Sequence, residues 1–138
     1  MPLDANPISE ANSPESSGGC QILLIEDNAD SRMSMALLLK LVGHQVVTAE
    51  DGKHGLAAAR AAPPDVVFID IGLPDMDGFE VARHLRTFLK ENVYLVALTG
   101  FNAPEDRQRA LDAGFNVHLT KPADLKTLEE LLASRSGR

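Results

Sequence analysis

"VVFIDIGLPDMDG", Val66 to Gly78, drives an unbroken apolar run into a charge and then into an acidic, glycine-bounded loop. Four consecutive apolar side chains, three of them β-branched, read as a strand covered on both faces rather than one with a wet side. The run stops on Asp70, and Asp75 and Asp77 follow inside "LPDMDG", where Pro74 and Gly78 turn the chain toward a helix. Only Asp70 abuts the strand. A carboxylate at the end of a fully buried strand forms a turn or serves a site, and the surrounding chain decides which.

Working outward, "QILLIE" (21–26), "HQVVTA" (44–49), "VYLVALT" (93–99) and "NVHLT" (116–120) join "DVVFID" (65–70) as strand candidates. Helical patterns fall between and after them at 30–42, 52–61, 78–89, 104–113 and 124–134. The boundaries carry suitable punctuation. Gly43 follows the first helix, Asp51 precedes the second, and Pro63-Pro64 stops it. Pro104 opens the fourth helix, Gly114 closes it, and Asp124 caps the last. Strict βα alternation predicts an α/β fold, an open doubly wound parallel sheet with helices on both faces. The common strand order for five strands is 2-1-3-4-5, and ligands bind beyond the carboxyl ends of the strands near the point where that order reverses.

That rule turns the strand ends into a site. The first strand ends on Glu26-Asp27, the third on Asp70, the fourth on Thr99, and the fifth runs into Lys121. Carboxylates about 4 Å apart repel by roughly 4 kcal/mol at an effective dielectric near 20, so the cluster needs a cation. Lys121 supplies one charge, and an all-oxygen pocket suits a hard divalent ion such as Mg²⁺. Nothing in the spacing of His and Cys predicts zinc. Aspartate, Mg²⁺, lysine and a hydroxyl are the parts of a phosphoryl-transfer site. Taken singly, Asp27 or Asn28 also reads as a helix cap, Asp70 as a turn former, Thr99 as an ordinary strand threonine and Lys121 as a solvated lysine. Their convergence on one rim favours the site.

Glu26-Asp27, Asp70 in "DIGLPDMDG", Thr99-Gly100 and Lys121-Pro122 together resemble the receiver domain of two-component response regulators, over essentially all of 21–134. The resemblance implies a flavodoxin-like fold in which Asp70 is the phosphoacceptor. It implies that Asp27 ligates Mg²⁺ directly, that Glu26 supports the ion, and that the Gly72 backbone carbonyl is a further ligand. Thr99 would donate to the phosphoryl group beside the small Gly100, and Lys121, aimed inward by a cis bond to Pro122, would neutralise it. The implied partners are a histidine kinase or histidine phosphotransfer domain and a downstream protein target. Receivers usually carry Tyr or Phe three residues before the lysine, where this chain has His118. Alternation puts His118 on the face opposite Val117 and Leu119, as a solvent-facing side chain or as a modified form of the aromatic switch.

Composition narrows the alternatives. At 138 residues the chain is long enough for one well-buried core, expected over 20–134 with a short tail at 135–138. Residues 1–19, with three prolines, four serines and two glycines, are expected to be a flexible tail or linker. A net charge of −7 disfavours nucleic acid and anionic membranes, and a single cysteine, Cys20, fits a reducing compartment. With no signal-like or membrane-length segment, a cytoplasmic protein without membrane insertion is expected. Two other functions are open to the sequence: a Mg²⁺-dependent phosphohydrolase or nuclease-like enzyme using Glu26 with Asp75 and Asp77, and a receiver kept as a non-phosphorylated structural module. The first suffers from Pro74 and the lack of a basic surface. The second would lose the acceptor, the acidic pair or the lysine, and all are present. The first helix, "DSRMSMALLLKLVG", is apolar around much of its circumference, so Met33, Met35 and Leu38 read either as core or as a face for a helical partner.

Overall fold

The apolar strands assemble as their composition requires, with the most hydrophobic in the middle. In the computed structural model, which describes residues 19–89, 92–100, 104–121 and 123–137, the strands are β1 (Gln21–Ile25), β2 (Gln45–Ala49), β3 (Val66–Asp70), β4 (Tyr94–Thr99) and β5 (Val117–Thr120). They alternate with helices α1 (Ala29–Leu41), α2 (Gly52–Ala61), α3 (Gly78–Leu89), α4 (Pro104–Ala113) and α5 (Leu125–Gly137). All pairings are parallel, in the order β2-β1-β3-β4-β5. This is the expected doubly wound fold. The α5 helix runs past the expected end at 134. Residues 1–18 of the expected linker and Pro122, with its expected cis bond, lie outside the described residues.

Central β3 is buried at every position, whereas edge strand β2 has only Ala49 buried. Alternation sends Leu23, Ile25, Val67 and Ile69 into a core with α2, α3 and α4. Ile22, Leu24, Val66 and Phe68 pack on the other face against α1 and α5. Sheet and helices thereby form three layers, and every strand points its carboxyl end at one rim.

The helix signals work as read. Asn28 caps α1 by accepting from Ser31 N at 2.8 Å, Asp51 caps α2 from His54 N at 2.8 Å, and Asp124 accepts from Thr127 N at 2.8 Å. Helix α1 divides the two readings of its apolar residues. Met35 is buried and Leu38 partly buried in the core, but Met33 is 68% exposed, so Met33 belongs to the surface.

Far from the rim, Arg86 of α3 stitches three segments. It donates to Gly114 O and Val93 O, each at 2.8 Å, and to Asn116 Oδ1 at 2.6 Å, while Asn116 Oδ1 also accepts from Leu95 N at 2.7 Å. The fit depends on Gly114, whose φ of +107° suits glycine and whose Cβ would lie 2.8 Å from Arg86 Cγ. The contact fixes the entry to β5, the strand that delivers Lys121.

Candidate functional site

Parallel pairing brings together at one rim residues that are dozens of positions apart in sequence. Glu26 directly follows β1, and its N–H donates to Ala49 O at 3.0 Å. Asp70 ends β3, with Oδ1 accepting from Gly72 N at 2.9 Å. Thr99 ends β4, one position beyond the Leu98 that pairs with Asp70. Lys121 N donates to Thr99 O at 2.7 Å, which aims the lysine at the cluster. Its Nζ lies 3.0 Å from Glu26 Oε1 and 3.4 Å from Asp70 Oδ2.

Among the described residues, Glu26, Asp70 and Thr99 are the buried polar ones, at 1%, 7% and 1% exposure. Carboxylate oxygens of Glu26, Asp27 and Asp70 lie within 4.8 Å of one another, close enough to share one metal ion. The donor set is all oxygen, as a hard divalent cation requires. Gly72 leaves its backbone unobstructed, since a Cβ there would make only an ordinary 3.6 Å contact with Asp70 Oδ1.

Electrostatics divides the two buried carboxylates. Burial pushes the Glu26 carboxyl above its ordinary range, and its contact with Asp70 adds to this, against the opposing Asn28 amide and Lys121. Burial also raises Asp70, but the Gly72 amide, the Glu26 contact and the Lys121 charge together outweigh it and hold Asp70 below its ordinary value. Lys121 is held above its usual value: burial opposes its charge, and Glu26 and Asp70 more than compensate.

Arg32, which the sequence reading passed over, braces this rim. Its guanidinium donates to the carbonyls of Glu26 at 2.9 Å and Asp27 at 3.3 Å, fixing the backbone of the acidic pair. The available signal was an arginine one helical turn after an acidic loop. Asp75 and Asp77 do not join the cluster. Asp77 caps α3 by accepting from Glu80 N at 2.9 Å, and Asp75 reaches the start of α2. Glu50, Asp51 and His54 form a second group of metal-capable side chains that spacing did not bring out, but Asp51 Oδ1 is already shared by the His54 amide and ring at 2.8 and 2.7 Å.

His118 lies opposite Val117 and Leu119, as alternation requires, on the side of α4. It is half-buried, and its Nε2 is shielded from solvent with no hydrogen-bond partner among the described residues. A groove of about 270 Å³ beside it is lined by Arg107, Leu111 and Phe115. A larger groove of about 440 Å³ starts at Glu26 and Lys121 and runs along α1 past Ser31, Ser34, Met35 and Leu38. Among the described residues, no helix is long and apolar enough to cross a membrane.

A doubly wound α/β domain with a carboxylate cluster and an inward lysine at its switch point is the class these features define. Residues 22–133 match the response regulator receiver domain family, and the chain belongs to that family, as a module of two-component signalling. The transcriptional regulatory protein KdpE of Mycobacterium tuberculosis is 40% identical over 101 residues, covering 73% of this chain and 44% of KdpE. The chain spans less than half the length of several such regulators. Among solved structures, the receiver domain of the Pseudomonas aeruginosa sensor histidine kinase PA1611 carries a magnesium ion coordinated in its active site cleft. It is 32% identical with a TM-score of 0.77, covering 87% of this chain and 99% of that one. The receiver domain of Saccharomyces cerevisiae Ssk1, solved with the histidine phosphotransfer protein Ypd1, is 27% identical with a TM-score of 0.78, covering 83% of this chain and 87% of that one.

Proposed function

We propose that this chain accepts a phosphoryl group from a phosphohistidine onto Asp70 in the presence of Mg²⁺ and thereby changes its protein-binding surface. The observation that carries this reading is a buried Asp70 beside both an inward lysine and an all-oxygen acidic cluster. Asp27, Asp70 and the Gly72 carbonyl would hold the metal, with Glu26 in support, and Mg²⁺ would supply charge neutralisation at the phosphoryl oxygens. An Asp70 carboxylate oxygen attacks phosphorus. The O–P bond forms as the P–N bond breaks, and the electron pair returns to the imidazole nitrogen, which takes up a proton. Lys121 stabilises the transferred oxygens, and Thr99 donates its hydroxyl to them. The domain turns over no external substrate beyond this acceptance and its own slow dephosphorylation.

The donor is a histidine kinase or a histidine phosphotransfer domain, and the groove along α1 gives its helix an apolar seat on Met35 and Leu38 beside the site. We assign residues 20–134 to the receiver unit, 1–19 to a linker and 135–138 to a tail, in a cytoplasmic protein whose output is contact with a downstream protein. The nuclease-like alternative loses support, because Asp75 and Asp77 are committed to helix starts rather than to the cluster.

The test is exposure to a small phosphodonor with and without Mg²⁺, followed by intact mass. A gain of about 80 Da, one phosphoryl group in place of a proton, is expected only with the metal. An unchanged mass under both conditions would overturn the reading and leave a structural receiver.

His118 serves as the switch residue in place of the usual aromatic ring. Its Nε2 is buried without a hydrogen-bond partner among the described residues, and a groove lies beside the residue into which the ring can move when Thr99 closes on phosphate. His118→Ala is expected to leave the mass gain intact and to reduce the phosphorylation dependence of partner binding, with His118→Tyr retaining more of it. Equal dependence in the alanine variant and the parent would remove His118 from the switch.

A further inference from the structure

Asp75 lies in the loop that follows the phosphoacceptor, yet its bonds go to a different helix. Its Oδ1 accepts from Gly52 N at 2.8 Å and its Oδ2 from Lys53 N at 2.9 Å, the first two amides of α2. The helix already has its own cap, Asp51, which takes the His54 amide. The exposed amides at this start are therefore divided between two carboxylates, one local and one brought from beyond β3.

The approach is tight. A Cβ on Gly52 would lie 2.6 Å from Met76 Cγ and 3.0 Å from Val81 Cγ2, so a side chain there would have to displace Met76 at the seam between the loop and α2. Although Asp75 is exposed, its carboxyl is held below the ordinary range: slight burial raises it, and the Gly52 and Lys53 amides outweigh that. The far end of the loop is closed by Gly78 N donating to Ile71 O at 3.1 Å. Between the two fastenings, Leu73 is buried and Gly72 N holds Asp70 Oδ1.

We propose that Asp75 is a positioning residue for phosphoryl acceptance, clamping the 71–77 loop onto the first turn of α2 so that Gly72 and the Asp70 carboxylate keep the geometry that receives the metal and the phosphoryl group. The inference rests on the function proposed above. Its physical basis is that 71–77 has no regular secondary structure of its own. The orientation of the Gly72 carbonyl therefore depends on where the loop is fastened. Groups that hold a metal's ligands in place fix their orientation and tune their basicity, and losing one typically costs about 10–100-fold in metal affinity or activity.

Two variants separate this from a helix cap or a simple charge effect. Asp75→Ala is expected to weaken Mg²⁺ binding about tenfold by calorimetry and to slow the approach to the phosphorylated mass at limiting Mg²⁺. Gly52→Ala keeps every charge but pushes Met76 and the loop away from α2, and it is expected to weaken Mg²⁺ in the same direction. Lower urea stability with Mg²⁺ affinity within about twofold of the parent in both variants would make Asp75 a cap only and overturn the proposal. Weakening in Asp75→Ala alone would reduce it to a charge effect and also overturn it. Failure of the parent chain itself to bind Mg²⁺ would instead refute the site, and this proposal with it.

Discussion

Asp70→Asn is expected to abolish the phosphoryl adduct while leaving the fold standing. The asparagine amide is nearly isosteric, and its carbonyl can still accept from Gly72 N, the 2.9 Å bond that orients the side chain. Its NH₂, however, would face Lys121 Nζ, which lies 3.4 Å from Asp70 Oδ2, donor against donor. The lysine then turns wholly to Glu26. Stability changes little because two opposing effects disappear together. The attraction of Lys121 at 3.4 Å, roughly 5 kcal/mol at an effective dielectric near 20, is lost, and so is the crowding of Asp70 against the other carboxylates within 4.8 Å. The chemistry has no such compensation, since an amide is not a nucleophile toward phosphorus. Mg²⁺ should also bind more weakly, one carboxylate having been removed. Intact mass after exposure to a small phosphodonor checks the result. A mass gain persisting in the variant would place the acceptor elsewhere.

The same residues show what was legible in the chain. "VVFID" announced a strand covered on both faces because every position is apolar until the last, and β3 is buried throughout. Strand ends and helix caps were equally readable, since Asn28, Asp51 and Asp124 act within three residues of their own positions. Strand order was a different matter. No local pattern dictates that β3 lies between β1 and β4, and it came from a general preference of such sheets and from the resemblance to receivers. Contacts between distant segments stayed hidden for the same reason. Asp75 finds its partners 22 and 23 residues away, and Arg86 reaches Gly114 across 28. In sequence these are merely a loop aspartate and a helix arginine. Helix α1 marks a further limit: an apolar residue on an apolar helix does not declare which side is covered, and Met33 is exposed where Met35 is buried.

Lys121→Met is expected to damage both stability and chemistry, and pH separates the two. Among the described residues, Lys121 is the cation within ion-pair distance of Glu26 and Asp70, at 3.0 and 3.4 Å. Stranding a buried charge costs roughly 3–5 kcal/mol. The lysine side chain is 29% exposed, so solvent already screens part of that, and a loss of about 1–3 kcal/mol at pH 8 is the reasonable scale. The pH dependence follows from Glu26. Burial, the largest influence, already holds its carboxyl above the ordinary 4.5, and without Lys121 it rises further. A carboxyl raised in the folded state contributes stability that is complete below the ordinary value and is lost as pH climbs through the raised one. The deficit of the variant should therefore be largest at pH 7–8 and shrink as pH falls toward 5. Asp70 runs the other way, its lowered carboxyl costing stability as pH falls below the ordinary 3.8, so the recovery ends near pH 4. Millimolar Mg²⁺ should also restore stability, because an ion held by Glu26, Asp27 and Asp70 replaces the missing charge and binds only the folded chain. Phosphoryl acceptance should not recover with it: Nζ is no longer present to meet the transferred oxygens, and losing one such donor typically costs about 10²–10³ in rate. Urea unfolding at pH 5 and pH 8, each with and without Mg²⁺, reads the first effect, and the rate of mass gain reads the second. A deficit that was identical at both pH values and indifferent to Mg²⁺ would mean that Lys121 stabilises the domain through its aliphatic packing and not through the charge it brings to the acidic rim.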